Sequence, residues 1–84
     1  MTCRIDRILS ESGQVILRVS GRLSGQDLEV LRAALEDRVV ALDLQEVSLA
    51  DRDAVKLLAL SEANGIELRN CPAYIREWIA AERA

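Results

Sequence analysis

The sequence contains no histidine and no phenylalanine among its 84 residues, and Tyr74 and Trp78 are its only aromatic residues. Histidine is the commonest general base and the commonest metal ligand near neutral pH, so its absence argues against many forms of catalysis and against a metal centre. The few aromatic side chains and the net charge of −3 argue against nucleic-acid binding, which relies on basic surfaces and base stacking.

Cysteine and long apolar runs are also scarce. Cys3 and Cys71 are the only cysteines, and their separation fits neither a CxxC motif nor a zinc site. We expect two reduced, mostly buried thiols rather than a disulfide. No apolar run reaches the ~18 residues of a membrane span, and residues 1–4 lack the apolar run of a signal peptide. These absences predict a cytoplasmic protein without membrane insertion.

The composition that remains is that of a folded chain. Half of the residues are hydrophobic and 30% are charged, with acids and bases interspersed. This balance is typical of globular rather than disordered proteins. A chain of this length forms a thin core with little room for an enclosed catalytic cleft. We therefore expect one domain over residues 1–84, with no enzymatic activity and no cofactor.

Hydrophobic periodicity predicts the element order β-β-α-β-α-β-α. The strands are expected at residues 3–9, 14–20, 39–44 and 66–70, with a polar loop after residue 44. Ser24 is the expected N-cap of the first helix, which should end near Glu36 and Asp37. Asp51 or Ser48 should cap the second helix, which runs to about residue 63 before the stop signal of residues 64–65. The last helix should begin at residues 71–72 and pack through Ile75, Trp78 and Ile79.

The order of these elements also predicts how the sheet is assembled. A short turn makes the first two strands an antiparallel hairpin. Each later strand follows a helix, so those connections should be right-handed crossovers to parallel strands, with the helices on one face. The other face should be partly open. We expect polar side chains there with an apolar strip among them: Arg4, Asp6, Gln14, Arg18, Glu67 and Arg69 around Ile8, Ile16, Val39 and Ala41.

Four stretches at matching spacing carry a family resemblance. They are residues 17–23 (Leu-Arg-Val-Ser-Gly-Arg-Leu), residues 39–44 (Val-Val-Ala-Leu-Asp-Leu) with Val47, Asp51 at the start of the second helix, and residues 65–72 (Gly-Ile-Glu-Leu-Arg-Asn-Cys-Pro). Together they resemble the STAS domain family of bacterial anti-sigma-factor antagonists and related modules in transporters and signalling proteins. The resemblance covers nearly the whole chain. It implies an α/β domain with a mixed four-stranded sheet and helices mainly on one face.

The family's switch motif is where this sequence departs. In the family, an Asp-Ser-Ser-Gly motif opens the second helix, and a partner kinase that is also the anti-sigma factor phosphorylates the second serine. The matching residues here are Asp51, Arg52, Asp53 and Ala54. The leading aspartate is kept, but the acceptor position is Asp53, which has no hydroxyl group. A fixed carboxylate near a helix N-terminus is a partial mimic of a phosphoserine, which carries about −1.5 to −2 charges.

These charged residues have both structural and functional interpretations. Asp51 and Asp53 can cap the second helix and complement its dipole, contact a partner, or do both. Arg52 can bind a carboxylate on a partner, although we favour a surface ion pair in which it folds back onto Asp51 or Asp53. The two aspartates are two residues apart and should not converge on one substrate atom. Asp43 and Glu46 lie nearby, but the spacing matches no calcium loop.

The resemblance therefore implies a non-catalytic protein–protein interaction module of bacterial regulation. Its partner would be an anti-sigma factor or a related kinase-like ATPase protein. Two alternatives stay open, a small STAS subunit of a phospholipid-type ABC transport complex and a module that senses a small ligand or nucleotide. A weak homodimer through the open sheet face and Trp78 is a further expectation. The residues expected to bind the partner are Ser24, Gln26, Ser48, Asp51, Arg52 and Asp53.

Overall fold

The computed structural model of the chain describes residues 3–35 and 38–83. Its strands are β1 (Cys3–Leu9), β2 (Val15–Leu23), β3 (Val39–Ala50) and β4 (Glu67–Arg69). Its helices are a 3-10 helix (Gly25–Asp27), α1 (Leu28–Ala34), α2 (Arg52–Ala63) and α3 (Ala73–Arg83). The predicted order of elements is confirmed. The predicted end of the first helix, near Glu36 and Asp37, lies outside the described residues.

The four strands form one mixed sheet in the order β1-β2-β3-β4. β1 and β2 are antiparallel, whereas β2 is parallel to β3 and β3 is parallel to β4. Alternate strand residues and all three α-helices contribute to one hydrophobic core, so the helices cover a single face of the sheet. The predicted fold class and the open second face are therefore confirmed. The largest fully buried side chains include Leu17, Leu31, Leu42, Leu44, Leu58, Ile75 and Ile79.

The central strand is longer than its apolar run suggests. We predicted that it ends at Leu44 and is followed by a polar loop, but β3 continues to Ala50. The extension stays hydrogen-bonded to β2 and still turns Val47 and Ala50 into the core. Residues 45–50 contain neither glycine nor proline, and this absence of loop-forming residues was the available signal.

β2 is also longer than predicted, because a glycine that we interpreted as a strand end lies inside it. Gly21 has a φ of +85° and stays in β2, at an irregularity in the pairing with β3. Such a φ suits glycine, and glycine inside a strand commonly marks a bulge. The extra length carries β2 to Leu23, level with the end of β3.

The prediction for the apolar strip on the open face is wrong for Val39. Val39 is buried in the core and pairs with Val15, and the register then shifts so that Ile16 pairs with Ala41. The shift inserts Val40 and turns Val39 toward the helices. Ile8, Ile16 and Ala41 are neighbours on adjacent strands, but Ala41 is fully buried and adds nothing to the exposed surface.

The last elements follow the prediction closely. Ile75 and Ile79 of α3 are buried, and Trp78 packs partly buried against the same core. Arg76 of α3 donates from Nη1 to both carboxylate oxygens of Glu62 in α2, at 2.7 and 2.9 Å. Cys3 and Cys71 are both free thiols. Within the described residues, no helix is long and apolar enough to cross a membrane.

Candidate partner-binding site

The ends of β2 and β3 bring two helix starts together. These strands are parallel and paired to their last residues, with Leu23 opposite Ala50. The backbone N–H of Asp51 donates to the carbonyl of Leu23 over 3.1 Å. Because parallel strands end at the same edge of a sheet, the 3-10 helix and α2 begin side by side at this edge. Most of the predicted site residues lie there.

Asp51 joins the two helix starts. Its Oδ1 accepts a hydrogen bond from the backbone N–H of Ala54 over 2.9 Å, which is the bond of an N-cap residue. Its Oδ2 accepts from the backbone N–H of Gly25 over 2.8 Å. The structure therefore selects Asp51, rather than Ser48, as the cap of α2, and it adds the bridge to Gly25, which the sequence did not reveal.

Ser24 and Asp27 are hydrogen-bonded to each other at the start of the 3-10 helix. Ser24 has an extended backbone and is the N-cap of the 3-10 helix. Its N–H and its hydroxyl both donate to Oδ2 of Asp27, each over 3.1 Å. Ser24 is thus confirmed as a cap. Its carboxylate partner is Asp27, three residues further along the chain.

Asp53 and Gln26 are exposed members of the site. Both side chains reach solvent, and across residues 3–35 and 38–83 the side chain of Asp53 makes no hydrogen bond or ion pair. Asp53 lies close to the neighbouring helix start, because a Cβ added to Gly25 would be 3.6 Å from its Oδ2. The same Cβ would be 3.8 Å from Oδ2 of Asp51. The edge of the sheet therefore presents an unpaired carboxylate beside an exposed glycine backbone.

Arg52 does not fold back onto its neighbouring aspartates, so that prediction was wrong. Its Nε lies 3.6 Å from Oε1 of Glu82 in α3, and its side chain stays largely exposed. In the first turn of a helix, adjacent residues point in different directions, and Arg52 is directed toward α3. Arg52 therefore lies on the α3 side of the site, and Asp53 on the side of the 3-10 helix.

Ser48 lies in a different setting from the one predicted. It was expected in a loop after the central strand, but it is an exposed residue inside β3. Ser48 is three positions before Asp51, which corresponds to roughly 10 Å along an extended strand. Its part in partner binding stays a prediction.

A hollow between α1 and α2 adjoins the site. It has a volume of about 330 Å³ and is lined by Leu28, Arg32, Asp53, Lys56, Leu57 and Leu60. The sequence could not show this gap, because hydrophobic periodicity indicates which residues face the core and not how closely two helices pack. The hollow extends the exposed surface from Asp53 along α2.

Asp43, the acidic residue inside the central strand, is hydrogen-bonded within the chain. Asp43, on β3, accepts from the backbone N–H of Gln45 over 3.0 Å and from Nδ2 of Asn70 over 3.3 Å. No group of three or more cysteine, aspartate or glutamate side chains is placed to hold a metal ion in the part of the chain that the structure describes. The site therefore combines exposed backbone, the carboxylate of Asp53, cationic side chains such as Arg52 and Lys56, and apolar side chains.

A thiol lies near the base of the site. Burial raises the pKa of the Cys3 thiol, and the negative charge of Asp27 raises it further. Burial also raises the pKa of Cys71, against a smaller lowering by Arg76. Both effects favour the neutral thiol, which suits packing in the core better than reaction as a thiolate nucleophile.

The arrangement of sheet and helices is that of a STAS domain. A solved structure that this chain matches is the crystal structure of an antisigma-factor antagonist, STAS domain from Rhodobacter sphaeroides. The TM-score is 0.67 and the sequence identity is 19%, over 82% of this chain and 87% of that chain. No protein-family model and no curated protein sequence matches this chain. The likeness confirms the STAS fold that the sequence pattern suggested.

Proposed function

We propose that this chain is a cytoplasmic, non-catalytic protein–protein interaction module of bacterial regulation. It docks through the edge of the sheet where the 3-10 helix and α2 begin. Its partner is an anti-sigma factor or a related kinase-like ATPase protein. The observation that carries this proposal is Asp53, an exposed carboxylate that has no partner among the described residues and lies at the α2 N-terminus of a STAS fold.

The fixed charge of Asp53 sets the state of the module. A carboxylate in the first turn of a helix is stabilised by the helix dipole, by about 0.3–1 kcal/mol. It supplies one negative charge where a phosphoserine would supply about two. The residue has no hydroxyl group to accept a phosphate. The charge at this position is therefore fixed, and phosphorylation here does not switch the module between two binding states.

Affinity capture tests the identity of the partner. The tagged chain is expected to retain a kinase-like ATPase of a sigma-factor pathway, and the Asp53→Arg variant is expected to lose it. Asp53→Asn, which removes the charge but keeps the shape, is the matched control and should reduce binding less. Retention of a transporter ATPase subunit instead would support the transport-complex alternative and contradict the proposal.

Incubation of the chain with the captured ATPase and ATP tests the fixed state. Intact-mass measurement is expected to show no phosphate on the wild-type chain. The Asp53→Ser variant, which supplies the missing hydroxyl group, is the positive arm of the experiment. Phosphate on the wild-type chain, for example on Ser48, would overturn the proposal of a fixed state.

A second candidate function is the sensing of a small ligand, and the hollow beside Asp53 favours it. Its volume of about 330 Å³ is within the ~300–1,000 Å³ of small-molecule sites. Leu57 and Leu60 supply apolar contacts, and Arg32 and Lys56 supply positive charge. A metabolite screen by thermal shift tests this function, because a ligand that binds only the folded chain raises Tm by an amount that grows with the ratio of its concentration to its Kd. A Leu60→Asp variant should abolish any such shift.

A further inference from the structure

The open face of the sheet carries a row of charges, one from each strand. The strand pairing places Asp6 opposite Arg18, Arg18 opposite Asp43, and Asp43 opposite Arg69. The signs therefore alternate across the whole sheet as minus, plus, minus, plus. We call these four residues the charged row.

The charged row lies on the face that the helices leave uncovered. The residues that precede its four members are Ile5, Leu17, Leu42 and Leu68, and they all belong to the hydrophobic core or pack against it. Side chains alternate between the two faces of a strand, so the charged row points away from the helices. The side chains of Asp6, Arg18 and Arg69 are 40–49% exposed, and that of Asp43 is 14% exposed.

Ion pairs within the chain do not account for the alternation. Arg18 and Asp43 approach each other to 3.9 Å between Nε and Oδ2. Asp6, however, pairs with Arg4 along its own strand. Arg69 likewise pairs with Glu67 along its own strand. Two of the three neighbouring pairs in the charged row are therefore not joined by an ion pair.

An alternating row of four charges is complementary to its own reverse. A two-fold axis that runs parallel to the strands, between β2 and β3, reverses the order of the row in a facing copy. Asp6 then lies opposite Arg69 of the second copy, and Arg18 lies opposite Asp43 of the second copy. Each contact occurs twice, as an isologous interface requires. The next row adds little to the interface, because Ala41, which faces Ile16 of the second copy, is fully buried in its own chain.

The arginines can serve both copies at once. Arg18 and Arg69 each use Nε in their ion pairs within the chain. Between the described residues, no hydrogen bond involves their terminal nitrogens. A guanidinium group has five N–H donors in a planar fork, so these nitrogens can bind a facing carboxylate without loss of the existing pair.

We propose that two copies of this chain associate face to face through the open sheet face, with the charged rows in antiparallel register. Sheets packed in this way lie about 10 Å apart, with strand directions within about 30° of each other. The interface does not include the 3-10 helix or α2. The proposal is therefore independent of the proposed function, and either can fail without the other.

Analytical ultracentrifugation of the full chain over a range of concentrations, at low ionic strength, tests the proposal. The wild-type chain is expected to show a monomer–dimer equilibrium that weakens as salt is added. Asp6→Arg and Arg69→Asp each place like charges opposite each other, so each should raise the dimer Kd at least about tenfold. The double variant restores opposite charges across the axis, and its Kd should return to within about threefold of the wild-type value.

The double variant distinguishes contacts between two copies from charge effects within one chain. Exchange of the two charges places like charges beside Arg18 and beside Asp43 in the same chain. If the charged row acted only within one chain, the double variant would therefore associate more weakly than either single variant. Arg38→Asp, in the turn before β3, is the control for net charge and should leave the Kd unchanged. Circular dichroism checks the fold of each variant, and Asp6→Asn with Arg69→Gln replaces any charge-reversal variant that does not fold.

Three results would overturn the proposal. The first is a wild-type chain that stays monomeric at every concentration. The second is single variants that associate as tightly as the wild-type chain. The third is a double variant that associates no more tightly than the single variants.

Discussion

The 3-10 helix and α2 begin side by side, yet their carboxylates are used differently. At the start of the 3-10 helix, Asp27 accepts hydrogen bonds from the N–H and the hydroxyl of Ser24, so both partners belong to the same helix start. At α2, Asp51 holds its own helix and also Gly25 of the neighbouring start. Asp53, two residues further, has no such partner in the described part of the chain. Two of the three aspartates are therefore structural, and the third is free to contact another molecule.

This difference gives each aspartate a distinct expected phenotype. A carboxylate that satisfies backbone N–H groups contributes to stability, and its loss leaves those groups without their partners. An exposed carboxylate without a partner in the chain contributes little to stability, so its loss should be visible only in binding. The predictions below test this division, beginning with the largest expected change in stability.

Asp51→Ala is expected to cause the largest loss of stability. It removes the cap of α2 and the bridge to Gly25 together, for a loss of about 1–2 kcal/mol in the free energy of unfolding. For a domain of this size, Tm should fall by roughly 4–8 °C for each kcal/mol lost. Urea and thermal denaturation measure both quantities. Asp51→Asn keeps an acceptor oxygen for Ala54 and should lose less, and equal losses in the two variants would contradict the hydrogen-bond explanation.

Asp27→Ala should have a smaller effect, of about 1 kcal/mol or less. It removes the acceptor for Ser24, but it leaves the cap of α2 and the bridge to Gly25 in place. Comparison of its urea denaturation with that of Asp51→Ala shows which helix start contributes more. A loss larger than that of Asp51→Ala would reverse the ranking proposed here.

The cysteines predict a loss of stability in alkali. Burial raises the pKa of Cys3 in the folded chain above its ordinary value, with Asp27 as a second cause. The unfolded chain therefore releases this proton first, at about pH 8.5, and stability falls as pH rises from there until the folded thiol also ionises. Denaturation midpoints at several pH values measure this slope. Cys3→Ser should flatten it, and so should Asp27→Asn to a lesser degree. A slope that neither variant alters would contradict the assignment to Cys3.

Arg52→Ala is expected to have the smallest effect on stability, within about 1 kcal/mol, because its pair with Glu82 lies at the surface. A double-mutant cycle with Glu82→Ala measures the coupling between the two side chains. Coupling near zero would show that the pair is incidental. A stronger coupling of Arg52 with Asp51 or Asp53 would instead restore the interpretation made from the sequence.

The sequence predicted the architecture because hydrophobic periodicity reports directly on which side chains face the core. Val15, Leu17 and Val19 alternate as expected of a half-buried strand, and each is buried. Predicted boundaries were less accurate where local composition and long-range pairing disagree. Gly21 suggests a strand end, and the end of the apolar run at Leu44 suggested a loop after it, but the pairing of β2 with β3 keeps both segments in the sheet.

The site was predicted in part, and the limit has a physical cause. The capping roles of Ser24 and Asp51 follow from local rules, since a cap satisfies N–H groups only two or three residues away. The bond of Asp51 to Gly25 joins residues 26 positions apart, and the pair of Arg52 with Glu82 joins residues even further apart. No local pattern encodes such contacts, because they depend on how the ends of the strands and helices meet.

The most direct test of the central claim compares Asp53→Arg with Asp51→Asn in affinity for the captured ATPase partner, measured by isothermal titration calorimetry. If Asp53 faces the partner and Asp51 supports the fold, Asp53→Arg should weaken binding at least about tenfold, with only the modest loss of Tm that reversal of a charge at a helix N-terminus causes. Asp51→Asn should lower Tm and leave the affinity within about threefold, provided that the titration is performed well below its Tm. Unchanged affinity in Asp53→Arg, together with a large loss of affinity in folded Asp51→Asn, would contradict the account.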